Sequence, residues 1–328
     1  IALTAKKKLK GRFSLRYVES RDSAELSTIL TLKNNLLTKG IEFGLFDNSI
    51  GVLVAFNNPE EWNKRDYGKP ASDKFSGMVP PKLARMMVNL ALGQINSKSE
   101  ILNSKQIQKP NETNSKNVCD LELRALNLQS ATVVDCFCGS GNILMEAMML
   151  GFDVVGSDVS EKAVEDTRAN LNWIKSETQN SKLKTNLKSK ILNSKQDIFR
   201  SDATKDSLIE NWKLKIGNYN NAVVVCEPYL GEPKKFKPTY KAAVGEYAEI
   251  KKLYLSFLKN ILRLANSELT LCLIFPLVET LDRRRFSLYN ESVDEIKKLG
   301  YTQACNSLAY GRDYQVVKRE IILLRFQQ

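Results

Sequence analysis

The stretch ATVVDCFCGSGNILMEAMMLGFDVVGSDVSEKAVEDTRANLNW, residues 131–173, decides the fold. TVVD (132–135) is a short apolar run of strand character that ends in the turn CFCGSG. An apolar helix is expected over 142–150, closed by Gly151, and DVVGSD (153–158) reads as a second strand. Ser160 is placed to cap the next helix, with Glu161 in the first turn where an acid favours the positive dipole end. Ala163, Val164, Thr167, Leu171 and Ile174 form that helix's inner stripe. Strand, glycine turn, helix, strand, acidic turn, helix is the opening of a doubly wound α/β sheet.

Outward from this stretch the alternation continues. Strands are expected at 222–227 and 269–276 and as a C-terminal pair near 301–308 and 319–326. A helix at 246–265, with Tyr247, Ile250, Tyr254, Phe257, Ile261 and Leu264 inward, separates two of them. Upstream, Pro80-Pro81 introduce a helix with Leu83, Met86, Met87, Leu90 and Ala91 on one face. Residues 57–79 are polar and turn-rich. Within 1–56 the expected elements are a Lys-rich helix ending near Gly11, a strand at 13–18, a helix at 28–37 and a hairpin of 41–46 with 50–56. That is too little for a comfortable independent domain and reads as the end of something larger, as does the absence of an initiator Met at Ile1.

The chain has 328 residues, 43% hydrophobic and 26% charged, enough to bury a full core and unlike a disordered or collagen-like sequence. No apolar run is long enough for a membrane span, and the basic KKKLK follows rather than opens the N-terminal segment, unlike a signal peptide. Histidine is absent, which removes imidazole from catalysis and from any metal site. Six cysteines form no CxxC pair and sit mostly in strand-like runs, which points to buried thiols in a cytoplasmic protein with no metal.

The net charge of +12 is unevenly spread. Residues 1–40 hold nine basic and three acidic side chains, 94–117 four and two, and 175–196 six and one, leaving the rest near neutrality. The last two stretches share NSK triplets and the hexamer ILNSKQ (101–106 and 191–196), short irregular repeats that read as surface-loop insertions, disordered or weakly helical. Basic loops of this kind could also add non-specific affinity for RNA.

The glycine turn narrows the cofactor. A dinucleotide fingerprint would need glycine at 144, where Leu144 stands. Asp135 beside the turn would repel a pyrophosphate, whereas an acid suits a ligand carrying a sulfonium and an amine. Asp-x-Phe-x-Gly-x-Gly (135–141) therefore reads as a site for S-adenosyl-L-methionine, with Phe137 in the turn and Gly139 and Gly141 allowing close backbone approach. Asp158 is placed for the ribose hydroxyls and Asp202 for the adenine amine.

These residues resemble a family. DCFCGSGNILMEA resembles the DPFCGSG-type motif of class I methyltransferases that act on amino groups in nucleic acids. KRDYGKPASDKFSGMVPPKLARMMVNLA (64–91) resembles the segment joining the THUMP RNA-binding domain to the catalytic domain in tRNA guanosine N2-methyltransferases. The resemblance implies a class I Rossmann-like sheet of seven strands with an antiparallel C-terminal strand, and a small partial α+β region before it. It implies a partial THUMP-like region at 1–56, a linker and cofactor-adjacent helix at 57–93 with Pro81 and Lys82 beside the methionine moiety, and a methyltransferase domain at 94–328. The partner it implies is tRNA, and the product N2-methylguanosine of the guanosine-10 type.

After its fourth strand that family carries Asp/Asn-Pro-Pro-Tyr, whose side chain and carbonyl accept the amine hydrogens while the ring stacks on a flipped base. Here the equivalent place holds Glu227-Pro228-Tyr229-Leu230-Gly231. Glu227 is one methylene longer than Asp, Tyr229 stands where the second Pro is expected, and Cys136 replaces the motif's Pro. Two other readings remain open: the same chemistry on ribosomal RNA guanine or DNA amino groups, and a non-catalytic RNA-binding relic.

Overall fold

The computed structural model describes residues 27–36, 39–46, 49–54, 56–72, 78–103 (side chains to Gly93), 131–181, 183, 185–205, 222–263 and 268–327, with isolated positions before Ser27. The chain forms two compact units, Ile1–Gly68 and Lys69–Gln328. The strand expected at 13–18, most of the Lys-rich helix and Cys119 lie outside the described residues.

In the first unit, helix α1 (Thr28–Lys33) starts where the Ser27 side chain accepts from Leu30 N. Strands β1 (Phe43–Phe46) and β2 (Ser49–Val52) form the expected hairpin, with Phe43 opposite Val52. Helix α2 (Pro59–Tyr67) is capped by Asn58 and opens with Pro at its first position. Arg65 lies back over the Trp62 ring at 4.3 Å.

The second unit is built on one sheet. Helix α3 (Pro81–Asn103) precedes β3 (Thr132–Asp135), α4 (Asn142–Met149), β4 (Asp153–Asp158), α5 (Glu161–Gln179), α6 (Thr185–Asn193), β5 (Gln196–Arg200) and β6 (Ala222–Cys226). Then follow α7 (Tyr240–Glu246), α8 (Ala248–Leu262), β7 (Glu268–Glu279), β8 (Arg285–Ser287), α9 (Val293–Lys298), β9 (Tyr301–Gln303), β10 (Leu308–Tyr310) and β11 (Val317–Gln327). The strand order is β10-β11-β7-β6-β3-β4-β5, with β8 paired to β7 and β9 to β11. The sheet is doubly wound, parallel from β5 to β7 and antiparallel from β7 through β11 to β9 and β10, with β8 folded back on β7.

The alternation of side chains across the pleat splits the core into two layers. Val133, Val154, Val223, Val225, Cys272 and Ile274 face the layer that holds Leu83, Met87, Leu144, Met148, Val164 and Leu171. Their sequence neighbours Val134, Val155, Val224, Cys226, Leu271, Leu273 and Phe275 face the other layer, with Tyr254, Phe257 and Ile261 of α8. Every central strand is buried on both faces, which is why these segments read as unbroken apolar runs.

The second insertion departs from its reading as a loop. Residues 175–179 finish α5, 185–193 form α6, and 196–200 form the edge strand β5. Ile191 of the repeated hexamer is fully buried, with Leu183 and Leu187 packed on the same layer. One apolar residue per turn is enough to seat a polar helix on an existing core. Residues 94–103 of the first insertion likewise continue α3 as helix. The helix expected at 246–265 is α8, Ala248–Leu262, which Tyr247 separates from the shorter α7 before it; Leu264 of the expected stripe lies outside the described residues.

Candidate active site

The carboxyl ends of β3, β4 and β6 meet at one edge of the sheet, where strand order changes direction and ligands bind in such folds. Asp135 ends β3 and is almost wholly buried; its Oδ1 accepts from Phe137 N at 3.0 Å. Burial pushes its pKa up to about 7, and the nearby Asp158 and Glu227 carboxylates push the same way. Asp158 ends β4, with Oδ2 accepting from Gly139 N and Oδ1 from Ser160 N, both at 3.0 Å. It thus ties the glycine turn to the second strand while keeping lone pairs on both oxygens.

The two glycines do different work. Gly141 has φ +80°, and a Cβ there would lie 2.9 Å from Thr167 Cγ2, so glycine lets α4 start close against α5. Gly139 has φ +52°, yet its Cβ would meet nothing within 4 Å. The open side of the turn is therefore at Gly139, where the backbone itself is the surface. Thr167 fixes the loop from behind, its hydroxyl donating to Gly139 O at 2.8 Å. Phe137 packs edge-on against Phe257 of α8, with centroids 5.0 Å apart.

The segment before α3 is latched onto this turn by residues the sequence reading did not single out. Asn170 donates to Ala71 O and Ser140 O, both at 2.8 Å, and accepts from Ala71 N at 3.0 Å. Asn142 donates to Val79 O at 2.6 Å, and buried Lys69 donates to Asn142 Oδ1. Polar residues on the inner sides of α4 and α5 were the available signal, since an Asn in an apolar helix face needs a partner. Pro81 is buried as the first residue of α3, and Lys82 beside it is exposed.

At the end of β6, Glu227 is mostly buried and pairs with Arg319 of β11, Nε to Oε1 at 2.6 Å and Nη2 to Oε2 at 3.4 Å. Burial raises the Glu227 pKa and Arg319 opposes the rise. Pro228 is buried, and Tyr229 is half exposed with its hydroxyl on Glu232 at 2.7 Å. Asp202 follows β5 and is bound into its own turn, Oδ1 accepting from Thr204 N and Oγ1 while Lys205 Nζ stands 3.6 Å from Oδ2. The hydrogen bonds that hold it lower its pKa against the effect of burial. Asp158 and Glu227 thus both lie within electrostatic reach of Asp135, whereas Asp202 is not among the groups that shift Asp135.

Two carboxylates bonded to a bare glycine turn, with Glu227 within electrostatic reach of Asp135, suit a cationic ligand. Cys136 and Cys226 are buried side by side, Cys136 N donating to Cys226 Sγ at 3.2 Å. Among the described residues no three Cys, Asp or Glu side chains are grouped to hold a metal ion, and no helix is long and apolar enough to cross a membrane.

Among curated proteins, the chain is 51% identical over 39 residues to a tRNA (guanine(10)-N2)-dimethyltransferase of Methanothermobacter thermautotrophicus. That match spans 12% of this chain and 12% of the relative. No protein-family model matches the chain. Similar solved structures include a Pyrococcus horikoshii protein (14% identity, 61% of this chain and 58% of that one, TM-score 0.36). A SAM-dependent methyltransferase of Methanosarcina mazei is 11% identical over 62% of this chain and 96% of its own, with a TM-score of 0.39. Magnesium protoporphyrin IX methyltransferase of Synechocystis, solved with SAM bound, is 14% identical over 93% and 100%, with a TM-score of 0.36.

Proposed function

We propose that the chain is an S-adenosylmethionine-dependent RNA methyltransferase that transfers a methyl group to the N2 amine of a guanosine in tRNA. One observation carries the reading: the Glu227-Pro228-Tyr229 turn lies on the same sheet edge as the Asp135–Gly141 turn, with Glu227 close enough to Asp135 to perturb its pKa. The short match to a tRNA guanine-N2 enzyme and the basic N-terminal stretch support the choice of acceptor.

When bound, S-adenosylmethionine supplies an electrophilic methyl group, and the acceptor nitrogen displaces the thioether in line. Asp135 holds negative charge toward the ligand's cationic end, Asp158 accepts from the ribose hydroxyls, and the Phe137–Gly141 backbone sets the distance of approach. Pro81 and Lys82 flank the methionine end, and Asp202 offers Oδ2 to the adenine amine. Glu227 receives the amine proton at Oε2, the oxygen that Arg319 engages at the longer distance. The Pro228 carbonyl accepts the second amine hydrogen, and the half-exposed Tyr229 ring stacks on the displaced base. Catalysis of this kind is mainly positioning, which a carboxylate clamped by Arg319 is suited to provide.

The test is incubation with bulk tRNA and labelled S-adenosylmethionine, followed by mass spectrometry of the nucleosides, with Glu227→Ala alongside. N2-methylguanosine that vanishes in the variant is expected. Label in ribosomal RNA or DNA instead moves the substrate, and cofactor binding without any transfer points to the non-catalytic reading.

A further inference from the structure

Strand β7 outruns its neighbour. Its pairing with β6 stops at Leu273 opposite Cys226, yet it continues to Glu279, six residues or about 20 Å farther at 3.3 Å per residue. There it turns through Leu281–Arg284 into β8, with Glu279 opposite Arg285. Since β6 and β7 are parallel, this hairpin stands above the carboxyl edge that holds the candidate active site.

The loop that leaves Tyr229 reaches the same hairpin, Leu281 N donating to Pro238 O at 2.9 Å. That loop, GEPKKFKPTYK (231–241), carries four lysines and one glutamate, and the hairpin tip carries Arg283, Arg284 and Arg285. Part of this charge is spent internally: Lys234 pairs with Glu246, Arg284 with Asp282, and Arg285 and Lys318 with Glu279. Arg284 also lies 4.2 Å over the Tyr240 ring, fixing the tip to the start of α7. Lys235, Lys241 and Arg283 are exposed and make no ion pair among the described residues. Between the lysines, Phe236 is 85% exposed, a large apolar side chain with nothing to bury it. The sequence distribution had placed the basic character at the N-terminus and in the insertions; the fold gathers a further share of it beside the catalytic turn.

We propose that this lysine- and phenylalanine-bearing loop, braced on the β7–β8 hairpin, is a docking surface on the catalytic unit for a single-stranded stretch of nucleic acid next to the target base. An exposed ring accepts a base on its face, and lysines on either side neutralise the adjoining phosphates. Its occupant rests on the proposed function, which makes the strand RNA; its geometry does not.

The full chain should be titrated with labelled bulk tRNA across a series of salt concentrations. The variants are Phe236→Ala, the double variant Lys235→Glu/Lys237→Glu, and Lys259→Glu as a charge control. Lys259 lies in the last turn of α8, which leads to the opposite edge of the sheet. Phe236→Ala is expected to weaken binding about fivefold or more. The double variant should weaken it further and lower the salt slope by more than one. Lys259→Glu should leave the slope near that of the wild type, and S-adenosylmethionine affinity should be unchanged in all three. Affinity unchanged by the loop variants, or lowered equally by Lys259→Glu, overturns the surface even where tRNA is methylated. Patch-dependent RNA binding without methylation supports the surface and overturns the methyltransferase reading instead. Single-stranded DNA of equal length, bound as tightly and lost in the same variants, would overturn RNA as the occupant.

Discussion

Arg319 and Glu227 lie 92 positions apart in the chain and meet through a guanidinium–carboxylate contact of 2.6 Å beneath the candidate active site. β11 brings the arginine there because its antiparallel register sets Arg319 opposite Pro276 of β7, near the carboxyl end of β6. Each side chain is about one-eighth exposed, so neither charge has water as an adequate substitute for the other. Arg319→Met is therefore expected to destabilise the fold by about 3 kcal/mol, the cost of leaving one member of a buried pair alone. The urea midpoint reads this, and a midpoint within experimental error of the wild type would contradict it. Arg319→Lys should recover part of the stability while methyl transfer stays low, because one ammonium cannot hold both oxygens.

Asp135 gives stability a pH dependence of unusual sign for a carboxylate. Its folded pKa, about 7, lies above the ordinary value of 3.8, so the folded protein holds a proton that the unfolded chain has released. Between those values the native state binds more protons, and stability falls as pH rises from about 4 to about 7. Asp202 and Glu279 are shifted the other way, so the informative quantity is a difference between proteins. Wild type minus Asp135→Asn should decline by up to about 4 kcal/mol from pH 4 to pH 7.5 and be flat above. Calorimetry should also show S-adenosylmethionine binding more tightly at pH 8 than at pH 6, since the ionised carboxylate is the form that attracts a cation.

The sequence carried much of this arrangement in local form. TVVD and DVVGSD are the strands the apolar pattern marked, and Ser160 caps α5 by accepting from Ala163 N. Local signals failed where a segment is polar and its fold is set by contact. In β5 one residue of five, Ile198, is buried, so the strand that follows the lysine-rich insertion carried no apolar pattern to mark it. In β7, Pro276 suggested a strand end, yet it falls between the last β6 pair at Leu273 and the first β8 pair at Leu277, where a missing N–H is tolerated. The acids at the strand ends were legible as candidates because their positions follow from the strands. The Arg319 partner of Glu227 was not, since no local pattern records a contact across two sheet neighbours.

The glycine turn offers a contrast between two substitutions of the same chemistry. Gly141→Ala adds a methyl 2.9 Å from Thr167 Cγ2 at φ +80°, so both crowding and backbone strain act. A loss of about 2–3 kcal/mol in chemical denaturation is expected. Gly139→Ala carries only the backbone cost, about 1 kcal/mol, because its methyl meets no protein atom within 4 Å. Its effect should appear in S-adenosylmethionine affinity, reduced tenfold or more by calorimetry. Equal losses of stability with equal retention of cofactor binding would remove the distinction between a packing glycine and a ligand-facing one.

Asn170 is the hinge pin between the glycine turn and the chain leading to α3. Its amide donates to Ser140 O and Ala71 O and accepts from Ala71 N, joining residues 99 positions apart. The residue is fully buried, so Asn170→Ala leaves partners without water to replace the lost bonds. About 2–3 kcal/mol of stability should be lost, more than one ordinary hydrogen bond contributes. Asn170→Asp should not rescue it, because a carboxylate cannot donate to the two carbonyls and would bury a charge beside them. If the latch also shapes the cofactor site, amide exchange at 138–141 and at Ala71 should accelerate together in Asn170→Ala, and S-adenosylmethionine binding should weaken in step. Acceleration at Ala71 alone would mean that the turn is held by Thr167 and Asp158 without help from the segment before α3.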